Sequence, residues 1–440
     1  MSARAIAFKV LVQVERVGAY LGVALDAALR SAGPIPRQDA ALATELAYGV
    51  ARRALTLDAA IAAHSKRSLK KLETAVHVAL RLGAYQLLFL DRVPEHAAVD
   101  ETVELVKQQG LARAASFVNA VLRKIAADKT IPLPDEPLER LSVAESHPAW
   151  LVRRWAARFG PDETTALCRA DNEAAPVCVR VNTTRATREE AAAALAACGV
   201  ASRPTALSPI GLLLEEPGPL FNLEPFKKGL FQVQDEAAQL VSMLAVIEPG
   251  MRVLDACAAP GGKTCHLAER LQGKGEVYAV DIHERKLQRL ETEARRLGIE
   301  GLVRPRAADA SRPLPFAKGS FDVILLDAPC TGLGTLRRHP EIRYRRVEGD
   351  IARMAGIQAT LANNLLRYLK PGGSFVYSVC SMEPEEGEQR AESLVDQGLS
   401  LAPPQTPGVP WSEVTTPSGT VATFPHRHHS DGFFGARLTL

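Results

Sequence analysis

What most constrains this 440-residue chain is a strand–helix alternation that begins near residue 236. MRVLDACA, EVYAVDI, FDVILLDAP and GGSFVYSVC are short, β-branched apolar runs, and the stretches between them have helical length and composition. Such alternation predicts a doubly wound parallel sheet, because parallel neighbours need a crossover long enough to hold a helix. The run Ile324-Leu325-Leu326 is apolar on both faces, as a strand covered on both sides requires. Sheets of this kind bind ligands at the carboxyl ends of their strands, so the residues that close these runs carry the functional information.

Asp255 closes the first run, which continues into Cys257-Ala258-Ala259-Pro260-Gly261-Gly262-Lys263-Thr264. The small residues of this turn let backbone approach a ligand, and the helix that follows offers unpaired N–H groups. The turn is neither G-x-G-x-x-G nor a phosphate-binding P-loop. Asp281 ends the second run twenty residues after Gly261, where a carboxylate can accept from both hydroxyls of a ribose. Asp309, in RAADA, follows the third strand candidate and is placed for an adenine amino group. Three acids at successive strand ends suit a cofactor that carries a nucleoside but no phosphates, and S-adenosylmethionine is the expectation.

The fourth run ends in Asp327-Ala328-Pro329-Cys330, and the fifth ends at Cys380. One buried cysteine is usually a small hydrophobe. Two at neighbouring strand ends point to thiol chemistry. A thiolate that adds to carbon 6 of a cytosine makes the otherwise inert carbon 5 nucleophilic, and a base must later remove the carbon 5 hydrogen so that the thiol can leave. Asp327 would hold N3, ideally by donating a proton. The target base has to leave its stack to be reached in this way.

The remainder of the chain reads differently. Residues 1–130 are alanine- and leucine-rich and predict helices throughout, with Phe117, Val118, Val121, Leu122 and Ile125 on one apolar stripe. This region holds 18 Lys+Arg against 12 Asp+Glu in a chain whose overall charge is +3, so the basic excess lies at this end. Lys66, Arg67, Lys70 and Lys71 are clustered within it. A phosphate-binding face and a merely solvated one fit that charge equally. The proline-rich IPLPDEP, 131–137, reads as a linker. A small α+β module follows over about 140–235, with strands at PVCVRVN and GLLLEE and a helix opened by the capping box Thr187 to Glu190. The expected domains are therefore 1–130, 140–235 and 236–440.

The seven cysteines are odd in number and lack C-x-x-C spacing, which argues against a disulfide framework and a zinc site, so reduced cytoplasmic thiols are expected. No apolar run has the length of a membrane span, and the first residues lack a signal-peptide core. Arg337, Arg338 and His339 are read as phosphate contacts, Trp150 and Trp155 as core, and His266 and His283 as surface helix residues. His426, His428 and His429 lack partner acids, so no metal is expected.

Taken together, DACAAPGGKT, VDIHERK, DAPCTGLGTLRRHPEIR, VYSVCSMEPEE and PHRHHSDGFFGARL resemble the RNA cytosine-5 methyltransferase family that includes the Sun (Nop2) proteins, over about 235–440. The first region, with FVNAVLRK, resembles the NusB RNA-binding domain. The whole order resembles the bacterial 16S rRNA (cytosine-5)-methyltransferases of that family. The resemblance implies a Rossmann-like α/β methyltransferase behind an all-α NusB-like domain and a small α+β RNA-binding module. It implies Cys380 as nucleophile, Cys330 in product release, Asp327 on the cytosine ring and Lys263 ordering the thiols. It also implies cofactor contacts from Cys257, Ala258, Ala259, Pro260, Gly261, Gly262, Lys263, Asp281, Arg285, Asp309 and Asp327. The partner is expected to be 16S rRNA, free or in an early small-subunit particle, and the protein a monomer. Val379 stands where the family more often has Thr, and Tyr344 keeps an aromatic after Ile-Arg. The rival readings are the same reaction on tRNA and a non-catalytic NusB-like RNA-binding factor.

Overall fold

In the computed structural model, which describes residues 1–440, ten α-helices occupy the chain between Ala3 and Ala170. The first, Ala3–Val17, opens where the Ser2 hydroxyl accepts from the Ala5 amide and closes at Gly18 in the left-handed conformation. Ile6, Leu11, Leu46, Leu57, Leu82, Val118 and Leu122 share one core. The expected stripe is present, with Val118, Val121, Leu122 and Ile125 buried and Phe117 half-buried beneath the Arg67 guanidinium. The helices Pro137–Ala144, Ala149–Phe159 and Pro161–Ala170 group with these N-terminal helices. The Ser146 hydroxyl accepts from the Leu55 amide, the Thr56 hydroxyl donates to the Val143 carbonyl, and Arg53 pairs with Glu145.

The first compact unit comprises Met1–Ala174 and also Leu336–Arg346. That short segment is fastened by its charged residues. Arg343 is fully buried and donates to the Asn172 side chain and to the carbonyls of Asp171 and Ser146. The Tyr344 hydroxyl donates to the Arg52 carbonyl, Arg345 donates to the carbonyls of Val14, Gly18 and Ala19, and Glu341 accepts from the Leu21 amide. Arg337, read from sequence as a phosphate contact, is only 5% exposed and pairs with Glu173. Its guanidinium is thus spent within the unit rather than offered to RNA.

The second unit, Ala175–Thr335 with Val347–Leu440, contains two sheets. The smaller is antiparallel and built from β1 (Val177–Val181), β2 (Ser202–Pro204), β3 (Gly211–Leu214) and β4 (Phe231–Val233) in the order β2-β3-β1-β4. The expected capping box starts its helix, with Thr187 and Glu190 capping each other's backbone amides. The larger sheet holds β5 (Arg252–Asp255), β6 (Glu276–Asp281), β7 (Val303–Ala307), β8 (Phe321–Asp327), β9 (Leu369–Val379), β10 (Ser400–Leu401), β11 (Val421–Thr423) and β12 (Phe433–Thr439). The order is β10-β12-β9-β8-β5-β6-β7, with β11 pairing only with β12. The five strands from β9 to β7 are parallel, as the alternation predicts. The C-terminal β12 adds antiparallel to β9, which makes the sheet mixed.

Both faces of the sheet are covered. Val253, Val323, Leu325 and Val376 point into one core, while Leu254, Ile324, Leu326, Phe375 and Tyr377 point into the other. The period-two exchange between the cores is what turns a continuous apolar run into a strand buried on both sides. Chain order runs from β5 outward to β7, then returns to the other side of β5 at β8. The crevice at that reversal is the position where such sheets hold ligands. No helix is long and apolar enough to cross a membrane, and all seven cysteines are free thiols.

Candidate active site at the strand ends

The residues singled out from sequence lie at the carboxyl ends of β5, β6, β7, β8 and β9. After β5 the chain turns through Pro260 and Gly261 into the helix Gly262–Arg270. Gly261 has φ +110°, and a side chain there would also run into Leu290, so only glycine fits. Beneath the turn Asp255 is fully buried and accepts from the Thr264 hydroxyl at 2.6 Å. Burial pushes its carboxyl up to about 7, against the opposing hydrogen bond. Asp281 shapes the neighbouring rim, one oxygen accepting from the Ala259 amide at 3.2 Å and the other from His283 at 2.8 Å. Asp309 stays 44% exposed, and its carboxyl is held low by hydrogen bonds from the Ser311 hydroxyl and amide. Arg285 is exposed in the first turn of the helix Glu284–Leu297.

Across β8 and β9 the chemistry is denser. Lys263 donates to one oxygen of Asp327 at 2.6 Å, and Ser378 donates to the other at 2.8 Å. Asp327 is therefore engaged as a hydrogen-bond acceptor on both oxygens, and the proton nearest to it belongs to Lys263. Burial works against the Lys263 charge, but Asp327 outweighs it, and the ammonium is held above its ordinary pKa. The ammonium also lies 5.0 Å over the Phe433 ring, a cation–π contact.

The sulfurs of Cys330 and Cys380 are 3.1 Å apart. The hydrogen bond to Cys380, reinforced by burial, raises the Cys330 thiol well above its usual range, so Cys330 keeps its proton. The Cys257 thiol is also pushed up, by burial and by Asp255. Cys380 thus has the protonated thiol of Cys330 against it and the Lys263 ammonium nearby.

Sequence reasoning missed several residues that build this arrangement. Ser378 lies near the end of β9, two positions before Cys380, so the period of two could have found it. Gly334 approaches Gly432 so closely that a β-carbon would lie 1.8 Å from the Gly432 carbonyl oxygen, and its amide donates to the Cys380 carbonyl. That crossing gives the glycine in SDGFFGARL a purpose that no local pattern shows. Arg180 of β1 donates to the Gly262 carbonyl at 2.8 Å and to Glu269 at 2.6 Å, which ties the small sheet to the glycine turn. His266, expected at the surface, is buried in the helix after that turn, and burial pushes its pKa well below the ordinary value, so it is neutral.

A doubly wound sheet with a glycine turn after its central strand and acids at the next strand ends defines a Rossmann-like methyltransferase domain. Comparison with known proteins narrows the class. The pattern of the 16S rRNA methyltransferase RsmB/F family matches residues 242–439, that of the NusB family 1–127, and that of the ferredoxin-like domain of RsmF/B-like methyltransferases 147–220. A probable ribosomal RNA small subunit methyltransferase B from Synechocystis is 35% identical, covering 100% of this chain and 99% of its own. Ribosomal RNA small subunit methyltransferase B of Vibrio cholerae is 36% identical over 90% of each chain. The crystal structure of PH0851 superposes with a TM-score of 0.87 at 28% identity, covering 100% of this chain and 99% of that one. This chain belongs to the 16S rRNA methyltransferase RsmB/F family.

Proposed function

We propose that the protein transfers a methyl group from S-adenosylmethionine to carbon 5 of a cytosine in 16S rRNA through a covalent adduct on Cys380. The observation that carries the proposal is the pair of sulfurs 3.1 Å apart beside the Lys263–Asp327 pair, at the mouth of a methyltransferase sheet.

The chain's residues fit the cofactor. Asp281 and Asp309 offer carboxylates to a nucleoside, the Gly261–Gly262 turn gives open backbone, and this donor set suits a ligand without phosphates. Asp281, Asp309, Arg285 and the turn Cys257–Lys263 would hold it. When bound, S-adenosylmethionine supplies the electrophilic methyl group that carbon 5 receives.

The chain's own groups account for the rest. Cys380 as thiolate forms a bond to carbon 6 of the cytosine, and the electron pair displaced from the ring double bond makes carbon 5 nucleophilic. Charge building on the ring needs a donor at N3, and the proton shared between Lys263 and Asp327 is the one at hand. Ser378 keeps Asp327 oriented. In the release step a base takes the carbon 5 hydrogen as a proton, a role open to Cys330 once its own proton has passed to solvent; the C–H bonding pair restores the ring double bond, and the Cys380–C6 pair returns to the Cys380 sulfur as thiolate. Cys330, in contact with Cys380, serves that step.

The test compares wild type, Cys330→Ser and Cys380→Ala on unmodified 16S rRNA by denaturing gel. Cys330→Ser should accumulate a protein–RNA adduct, and Cys380→Ala should form neither adduct nor product. Methylation by Cys380→Ala would refute the assignment of the nucleophile.

A further inference from the structure

Glu386 is fully buried, and its four partners are all neutral donors. One oxygen accepts from the Thr331 amide at 2.9 Å and from the Gln358 side chain at 3.0 Å. The other accepts from the hydroxyls of Thr331 and Ser381. Thr331 directly follows Cys330, and Ser381 directly follows Cys380. Gln358 donates also to the carbonyl of Pro329, the residue before Cys330, while the Tyr377 hydroxyl donates to the Glu386 carbonyl. A carboxylate removed from water without a counter-ion costs several kcal/mol, so packing alone would favour an apolar residue here. A carboxylate is also the side chain with acceptor sites enough for four donors.

We propose that Glu386 is a positioning residue. By clamping the residues next to Cys330 and Cys380, it holds the two sulfurs in the contact that the reaction uses. This rests on the reading of those thiols as the catalytic pair. The clamp also makes a prediction that needs no RNA. Diamide oxidises two adjacent thiols to a disulfide, taking both hydrogens and becoming the hydrazo compound, and the rate reports how often the sulfurs meet.

The experiment uses the full chain without RNA and follows the Cys330–Cys380 disulfide by peptide mass after diamide. Wild type should form it fastest, and Glu386→Ala should be slower by roughly 10- to 100-fold, as expected when a held approach is lost. Glu386→Gln should recover most of the rate, because its amide oxygen can face the two N–H donors and its amino group can face two hydroxyls able to accept. A wild-type rate in Glu386→Ala overturns the proposal. If Glu386→Ala does not fold, Ser381→Ala removes one donor and leaves the carboxylate, and a wild-type rate there overturns it equally. With RNA, Glu386→Ala should lower kcat by about 100-fold while the Kd for S-adenosylmethionine changes less than about threefold, and Glu386→Gln should restore kcat. Equal losses of kcat in both variants would refute the positioning role. Absence of any adduct in Cys330→Ser would remove the catalytic reading, while the disulfide rates in the chain with both cysteines would still decide the clamp.

Discussion

Replacing Arg180 by Met tests how the small sheet supports the glycine turn. The Arg180–Glu269 pair is 0% and 1% exposed, with nitrogen and oxygen 2.6 Å apart. Removing the guanidinium leaves a buried carboxylate without its ion-pair partner, a change that typically costs about 3–5 kcal/mol. Glu269 can escape the charge by taking a proton. At pH 7 that costs about 3.7 kcal/mol, the gap from an ordinary glutamate pKa of ~4.3 at ~1.36 kcal/mol per pH unit. The loss at pH 7 is therefore capped near 4 kcal/mol, and the cap falls to about 1 kcal/mol at pH 5.

The sign follows from burial, which already raises the Glu269 carboxyl in the wild type. In the variant the folded state binds a proton that the unfolded state has released, so stability falls as pH rises from about 4 upward. Urea unfolding of both proteins at pH 5 and pH 7 measures this, and the deficit of Arg180→Met should be larger at pH 7. The double variant Arg180→Met/Glu269→Leu should recover most of the loss, since a buried pair replaced by apolar residues is often neutral. The Gly262 carbonyl loses its donor in either variant, so affinity for S-adenosylmethionine should stay weakened by about tenfold even where stability returns, the effect of one lost charged hydrogen bond. A deficit below about 1 kcal/mol at pH 7, or one independent of pH, would refute the reasoning.

Asp255, pushed up to about 7 by burial, gives wild-type stability that declines as pH rises from ~4 to 7. Asp255→Asn keeps an acceptor for Thr264 without the titration, so relative to wild type it should gain on the order of 3 kcal/mol between pH 4 and 8 in urea unfolding; parallel pH profiles would contradict this. Arg343→Met strips the donors from the Asn172 side chain and the carbonyls of Asp171 and Ser146. It should destabilise the first unit by roughly 3 kcal/mol in a thermal melt resolved by hydrogen exchange, and a loss under about 1 kcal/mol would show those contacts to be incidental.

The parallel sheet and the main site residues were legible because both follow from local pattern. Apolar runs separated by helix-length stretches give the strands, and the residue closing each run lies at the ligand-binding end. Asp255, Asp281, Asp327, Cys330 and Cys380 were found that way. Leu336–Arg346 was not, because LRRHPEIRYRR is cationic and reads as surface. The carbonyls and acids that neutralise it lie in Val14–Ala19 and Ser146–Glu173, far away in sequence. Glu386 was hidden for a similar reason. Nothing local sets it apart from Glu385 and Glu388, and only the fold shows four donors converging on it. His266 was misread because a lone histidine in a polar helix carries no local sign of which face is covered. The antiparallel β12 escaped because an antiparallel strand needs no crossover helix to announce it.

The central claim is tested most directly by incubating the protein with unmodified 16S rRNA and radiolabelled S-adenosylmethionine, digesting the RNA and identifying the labelled nucleoside. The account predicts label in 5-methylcytidine with wild type and none with Cys380→Ala. Label in any other nucleoside, or 5-methylcytidine made by Cys380→Ala, would contradict it.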